Sequence, residues 1–137
     1  DGPLATRCEM RLAYLRGDFA RAAQLAERLA SVRRGDADTA RTLNLLGSAY
    51  AALADHARAR QAFEASLAIA PRDAAVLVNL GMTELRAGNP PAAAERFSQA
   101  LFLHPTLAPA LEGMAQSLER QGQARRAAAV RALTPDP

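Results

Sequence analysis

Apolar positions along this chain recur at steps of three and four. Leu43, Leu46, Tyr50 and Leu53 make one such run, and Ala59, Ala62, Phe63, Ser66 and Leu67 make the next. That rhythm places the apolar side chains on one face of an α-helix. Only Ala54-Asp55 separates the two runs, so they predict two antiparallel helices joined by a tight turn. A later pair is divided by Gly88-Asn89-Pro90-Pro91, where Gly ends a helix, Asn caps the next and Pro90 suits its first turn. Pro71 and Pro105 stop the second helix of each pair, with Asp73 and Thr106 placed to cap the helices that follow.

The pattern repeats itself. Gly47 recurs as Gly81, Phe63 as Phe97, Leu67 as Leu101, Ile69 as Leu103 and Pro71 as Pro105, each 34 residues later. The ladder continues through Leu43, Leu77 and Leu111, through Leu46, Leu80 and Met114, and through Ala59, Ala93 and Ala127. A fixed period of this size marks a solenoid, whose hairpins cannot bury their apolar faces singly and must stack. Gly47, Gly81 and the recurring Ala are small where paired helices cross, so that their backbones can approach. Phe63 and Phe97 are expected to fill the gap between one hairpin and the next.

These anchors resemble the tetratricopeptide repeat, a helix–turn–helix unit of this length. Leu43, Leu46, Gly47, Tyr50, Ala59, Phe63 and Pro71 match its signature in one copy. Leu77, Leu80, Gly81, Ala93, Phe97, Ala100 and Pro105 match it in the next, with Glu84 in place of the usual aromatic. The flanking copies are degenerate. The first has Glu9-Met10 for the Leu-Gly pair and needs three extra residues, 37–39, before its neighbour; the last has Ala115 for Gly and Arg131 for the bulky residue, predicting a short final helix. The resemblance implies an all-α, right-handed α-solenoid of about three and a half to four units, seven or eight helices, in a single domain 1–137. The units fall at 3–36, 40–73, 74–107 and 108–137.

Composition agrees with helices. Ala supplies 34 and Leu 19 of 137 residues, and there are six aromatics, a poor recipe for a β-sandwich. All 17 basic residues are Arg, a usage that fits a GC-rich, bacterial genome, and their absence as Lys removes phosphate-loop and Schiff-base lysine chemistry. The arginines are interleaved with acids; only Arg33-Arg34 and Arg125-Arg126 adjoin, and net charge is +3, so nucleic acid is not the expected partner. No run is long and apolar enough for membrane insertion. Cys8 is a lone cysteine expected to pack as a small apolar residue, and His56 and His104 lie 48 residues apart, so no metal or cofactor site is expected. Asp55-His56 lacks the third partner of a catalytic constellation, and Ser48 and Ser66 lack a base. No enzyme activity is expected.

What the resemblance implies instead is a concave groove lined by the first helix of each unit. Carried over residue by residue, that face comprises Arg7, Arg11, Tyr14 and Leu15, then Arg41, Asn44 and Ser48. It continues through Val78, Met82, Leu85 and Arg86, then Glu112, Gln116, Glu119 and Arg120. Asn79 matches an asparagine that in many such proteins bonds the backbone of a bound peptide. The inventory runs from cationic through apolar to acidic, and implies a protein or peptide partner with acidic residues near the first two units and an apolar anchor on Val78, Met82 and Leu85. The terminal-carboxylate clamp of chaperone-tail binders is not expected, because aligning units two to four leaves only Asn79 in register. Two alternatives stand beside the scaffold reading. One is an accessory module of a larger bacterial enzyme or of a secretion or pilus-assembly component, which the opening Asp1-Gly2-Pro3 in place of Met fits. The other is self-association through terminal units that leave Val130 and Leu133 exposed.

Overall fold

A computed structural model describes residues 2–32 and 35–135. The described residues hold eight helices and no strand: α1 (Pro3–Leu15), α2 (Phe19–Ala30), α3 (Ala37–Ala52), α4 (His56–Ile69), α5 (Ala74–Arg86), α6 (Pro90–Leu103), α7 (Ala108–Arg120) and α8 (Ala124–Arg131). The Arg33-Arg34 pair lies outside the described residues.

Helix starts follow local chemistry. Asp18, Asp36, Asp55 and Asp73 each precede a helix and accept a backbone N–H from its first turn, which satisfies donors the helix leaves unpaired. Pro opens α6 after Asn89, although the Asn side chain makes no capping bond. Thr106 does not cap α7: the capping position belongs to Leu107, and Pro109 stands in the first turn. The three residues that break the period, 37–39, are no loop. They extend α3 by a turn, to 16 residues, behind the Asp36 cap.

The chain divides into two compact units, Asp1–Pro71 and Arg72–Pro137. In unit 1, α1 packs on α2, α2 on α3 and α3 on α4. Its core is mostly Ala and Leu around Phe63, whose ring lies so close to Gly47 that a Cβ there would stand 2.6 Å from it. Two polar bonds brace the unit, the first within the α3–α4 hairpin and the second between α3 and α2 of the preceding hairpin. The buried Ser66 hydroxyl donates to the Ala40 carbonyl at 2.7 Å, and Tyr50 Oη donates to Glu27. The Arg58 guanidinium covers the Tyr50 ring at 5.7 Å.

Unit 2 is built on α5–α6, α6–α7 and α7–α8 contacts. Phe97 is fully buried, and its ring fills the space over two glycines, Gly81 of α5 and Gly113 of α7. Arg120 Nη1 donates to the Leu85 carbonyl at 2.6 Å, tying the end of α7 to the end of α5. Val130 is not exposed as expected. It packs beside Ala115, Leu118 and Ala127, while Leu133 stays in solvent.

Candidate partner-binding groove

Helices α1 and α3 of unit 1 open a recess of about 620 Å³. Of the seven residues expected on this face, Leu15 is 81 % exposed and stands outside the recess. The other six line it: Arg7, Arg11 and Tyr14 from α1, and Arg41, Asn44 and Ser48 from α3. They meet because positions three and four apart share a helix side. Leu4, Met10 and Leu45 supply the apolar part of the wall. Tyr14 is held from behind by Phe19, edge to face at 5.2 Å.

Asp38 also lines the recess and was not anticipated, because it lies in the inserted turn that has no counterpart in the repeat. It accepts from Arg41 Nη2 at 2.6 Å and faces Arg7 Nη1 at 3.4 Å. The hydrogen bond from Arg41 and the charge of Arg7 hold its carboxyl below the usual carboxylate range. Two of the three groove arginines are therefore partly compensated. Arg11 makes no ion pair among the described residues. Cys8 is exposed on the groove wall rather than packed in the core, a correction that follows from its helix side: Met10 and Ala13 take the buried one.

Unit 2 presents a different face. Val78, Asn79 and Met82 are half-buried on α5 and Arg86 is exposed. Leu85 does not belong there. It is 1 % exposed and forms part of the core. On α7, Gln116 is half-buried and donates to Glu112 at 3.3 Å. Glu112 and Glu119 are not free carboxylates. Arg131 of α8 donates to Glu112 at 2.9 and 3.0 Å and to Glu119 at 2.7 Å. These bonds hold both carboxyls below their usual range and push the guanidinium further up. Arg131 stands where Phe63 and Phe97 stand in their copies; sequence reading treated it only as a lost knob. Arg120, spent on Leu85, is likewise withdrawn from the face.

Among the described residues no three His, Cys, Asp or Glu side chains gather as metal ligands, and no helix is long and apolar enough to cross a membrane. His56 opens α4 and His104 ends α6.

No protein-family model matches the chain, and the curated proteins give no match. Solved structures do. A crystal structure of MamA superposes with a TM-score of 0.84 at 17 % identity, covering 90 % of this chain and 71 % of its own. A MamA double mutant gives 0.86 at 18 % identity over 96 % and 72 %. The Sgt2 TPR domain from Aspergillus fumigatus gives 0.78 at 17 % identity over 98 % and 85 %. The chain has the fold of tetratricopeptide-repeat proteins: all-α hairpins with a 34-residue period.

Proposed function

We propose that the protein is a non-catalytic interaction scaffold whose first unit holds an extended segment of a partner protein in the α1–α3 groove. The observation that carries this reading is the recess itself. Its volume of about 620 Å³ is within the range of ligand-holding clefts, and it combines apolar walls with a few convergent polar groups. Arg11 at its edge favours a carboxylate, Asn44 and Ser48 offer bonds to a peptide backbone, and Leu4 and Leu45 favour an apolar side chain. Electrostatic matching at Arg7, Arg11 and Arg41 sets orientation and on-rate more than affinity. In unit 2, Val78 and Met82 are the residues left to receive an apolar anchor. The acidic end of the graded face falls away, since Arg131 already neutralises it.

The test is a fluorescence-anisotropy titration with a labelled peptide alternating Glu and Leu, against one alternating Lys and Leu. The acidic peptide is expected to bind more tightly, and Arg7→Glu, Arg11→Glu and Arg41→Glu together should abolish that preference with the helical circular dichroism unchanged. Equal binding of both peptides, or a preference untouched by the triple reversal, overturns the reading.

A further inference from the structure

Asp38 stands in the groove as a ligand would. It belongs to the inserted turn of α3, which has no counterpart in the repeat. Its two carboxylate oxygens meet guanidiniums from both walls of the recess. Oδ1 accepts from Arg41 Nη2 of α3 at 2.6 Å, and Oδ2 faces Arg7 Nη1 of α1 at 3.4 Å. In unit 2 the registers of Arg7 and Arg41 hold Val78 with Ala75 and Glu112 with Pro109, so the arrangement belongs to unit 1.

Folding makes little use of this carboxylate. Helix α3 is capped by Asp36, whose Oδ1 accepts from the backbone N–H and from the hydroxyl of Thr39, both at 2.9 Å. The Thr42 hydroxyl donates to the backbone carbonyl of Asp38, not to its side chain. The Asp38 side chain is 45 % exposed and that of Arg41 74 %, and ion pairs this open contribute little to stability. They are correspondingly easy to exchange for another anion.

We propose that Asp38 is an internal competitor of the partner: its carboxylate holds the place on Arg7 and Arg41 that a partner's carboxylate takes, and is displaced when an acidic segment binds. This rests on the groove reading above and adds its regulation. Arg11 makes no ion pair among the described residues and is open to a first acid. Arg7, one helical turn before it, opens to a second acid only as Asp38 leaves. Alternate residues of an extended segment lie ~7 Å apart and residues one turn apart on α1 ~6 Å, so a segment with acids at every second residue engages both. The restraint is graded: it lowers affinity for such segments without closing the groove.

The experiment titrates the whole chain by fluorescence anisotropy with the labelled Glu–Leu peptide and with a Gln–Leu peptide of equal length. Asp38→Asn keeps an acceptor for Arg41 and removes the charge. It is expected to tighten the Glu–Leu peptide by about threefold to tenfold and to leave the Gln–Leu peptide unchanged. With Arg7→Gln and Arg41→Gln already in place, the same substitution should give no gain, because the guanidiniums it would release are gone. Glu9→Gln removes an equal charge from α1 outside the recess, where Glu9 faces Arg21 Nη2 at 3.9 Å, and should give no comparable gain. Equal or weaker binding of the Glu–Leu peptide by Asp38→Asn overturns the proposal, and so does a gain shared by the Gln–Leu peptide, matched by Glu9→Gln or surviving loss of both arginines. A preference for Glu–Leu over Lys–Leu that persists through those results leaves the groove reading standing; absence of that preference in the unsubstituted chain overturns the reading and this proposal with it.

Discussion

Between the hairpins of unit 2 the space is filled from α6, whose Phe97 ring lies over Gly113 of α7. In unit 1 the same two repeat positions are Ala26 in α2 and Leu45 in α3, so the bulk sits on the other helix. One junction is a large knob over a bare backbone; the other carries a small residue at the knob position and a large one at the glycine position. What the repeat conserves is the summed volume across the junction, because a dense interior tolerates neither a void nor an added methyl group. This is why a degenerate copy can still fold with its neighbour.

The largest expected effect comes from removing the knob. Phe97→Ala should cost about 3–5 kcal/mol in chemical denaturation, because it empties space over two glycines at once. Gly113→Ala should cost about 1–3 kcal/mol, since the new Cβ would stand 2.3 Å from the ring. Combining Phe97→Ala with Gly113→Leu imitates the unit 1 junction, and the double variant should be more stable than Phe97→Ala alone. If it is no better, the volume argument fails.

A smaller effect separates the turns. Gly17, Gly88 and Gly122 turn their hairpins at φ of 81°, 85° and 76°, and Ala54 does the same work at 60°. A Cβ in this left-handed region is costly, so Ala54→Gly should raise stability by about 1 kcal/mol, read as a higher denaturant midpoint.

The smallest effect is electrostatic and belongs to the exposed pairs. Glu112 and Glu119 have folded pKa values held below their ordinary 4.5. Their contribution is present above 4.5 and is lost as pH falls through the folded values. Stability measured down that acid range should therefore decline, and Arg131→Ala should make the decline shallower. Asp38, held below its ordinary 3.8 by the Arg41 hydrogen bond and the Arg7 charge, contributes in the same sense in unit 1.

The helices were legible because spacing, Pro stops and Asp caps all act within a few residues. The glycine–phenylalanine contacts were legible because the period repeats them. What escaped reading depends on neighbours distant in sequence or outside the repeat. Asp38 sits in a turn without a counterpart. Arg131 found Glu112 and Glu119 from another helix, and a missing aromatic gives no hint of that. Leu85 shares a register with groove residues but is buried in the core, and Cys8 is exposed because Met10 and Ala13 take the buried side of α1. Repeat register brought six of the seven expected unit 1 residues to one recess, Leu15 excepted, whereas the acidic end of the expected face is paired with Arg131.

The most direct measurement is a ¹H–¹⁵N chemical-shift titration of the protein with the Glu–Leu peptide. The account predicts saturable shifts at Arg11, Tyr14, Asn44 and Ser48, with the backbone of α2 and α4 little moved. Shifts confined to other helices, or none at saturating peptide, would contradict it.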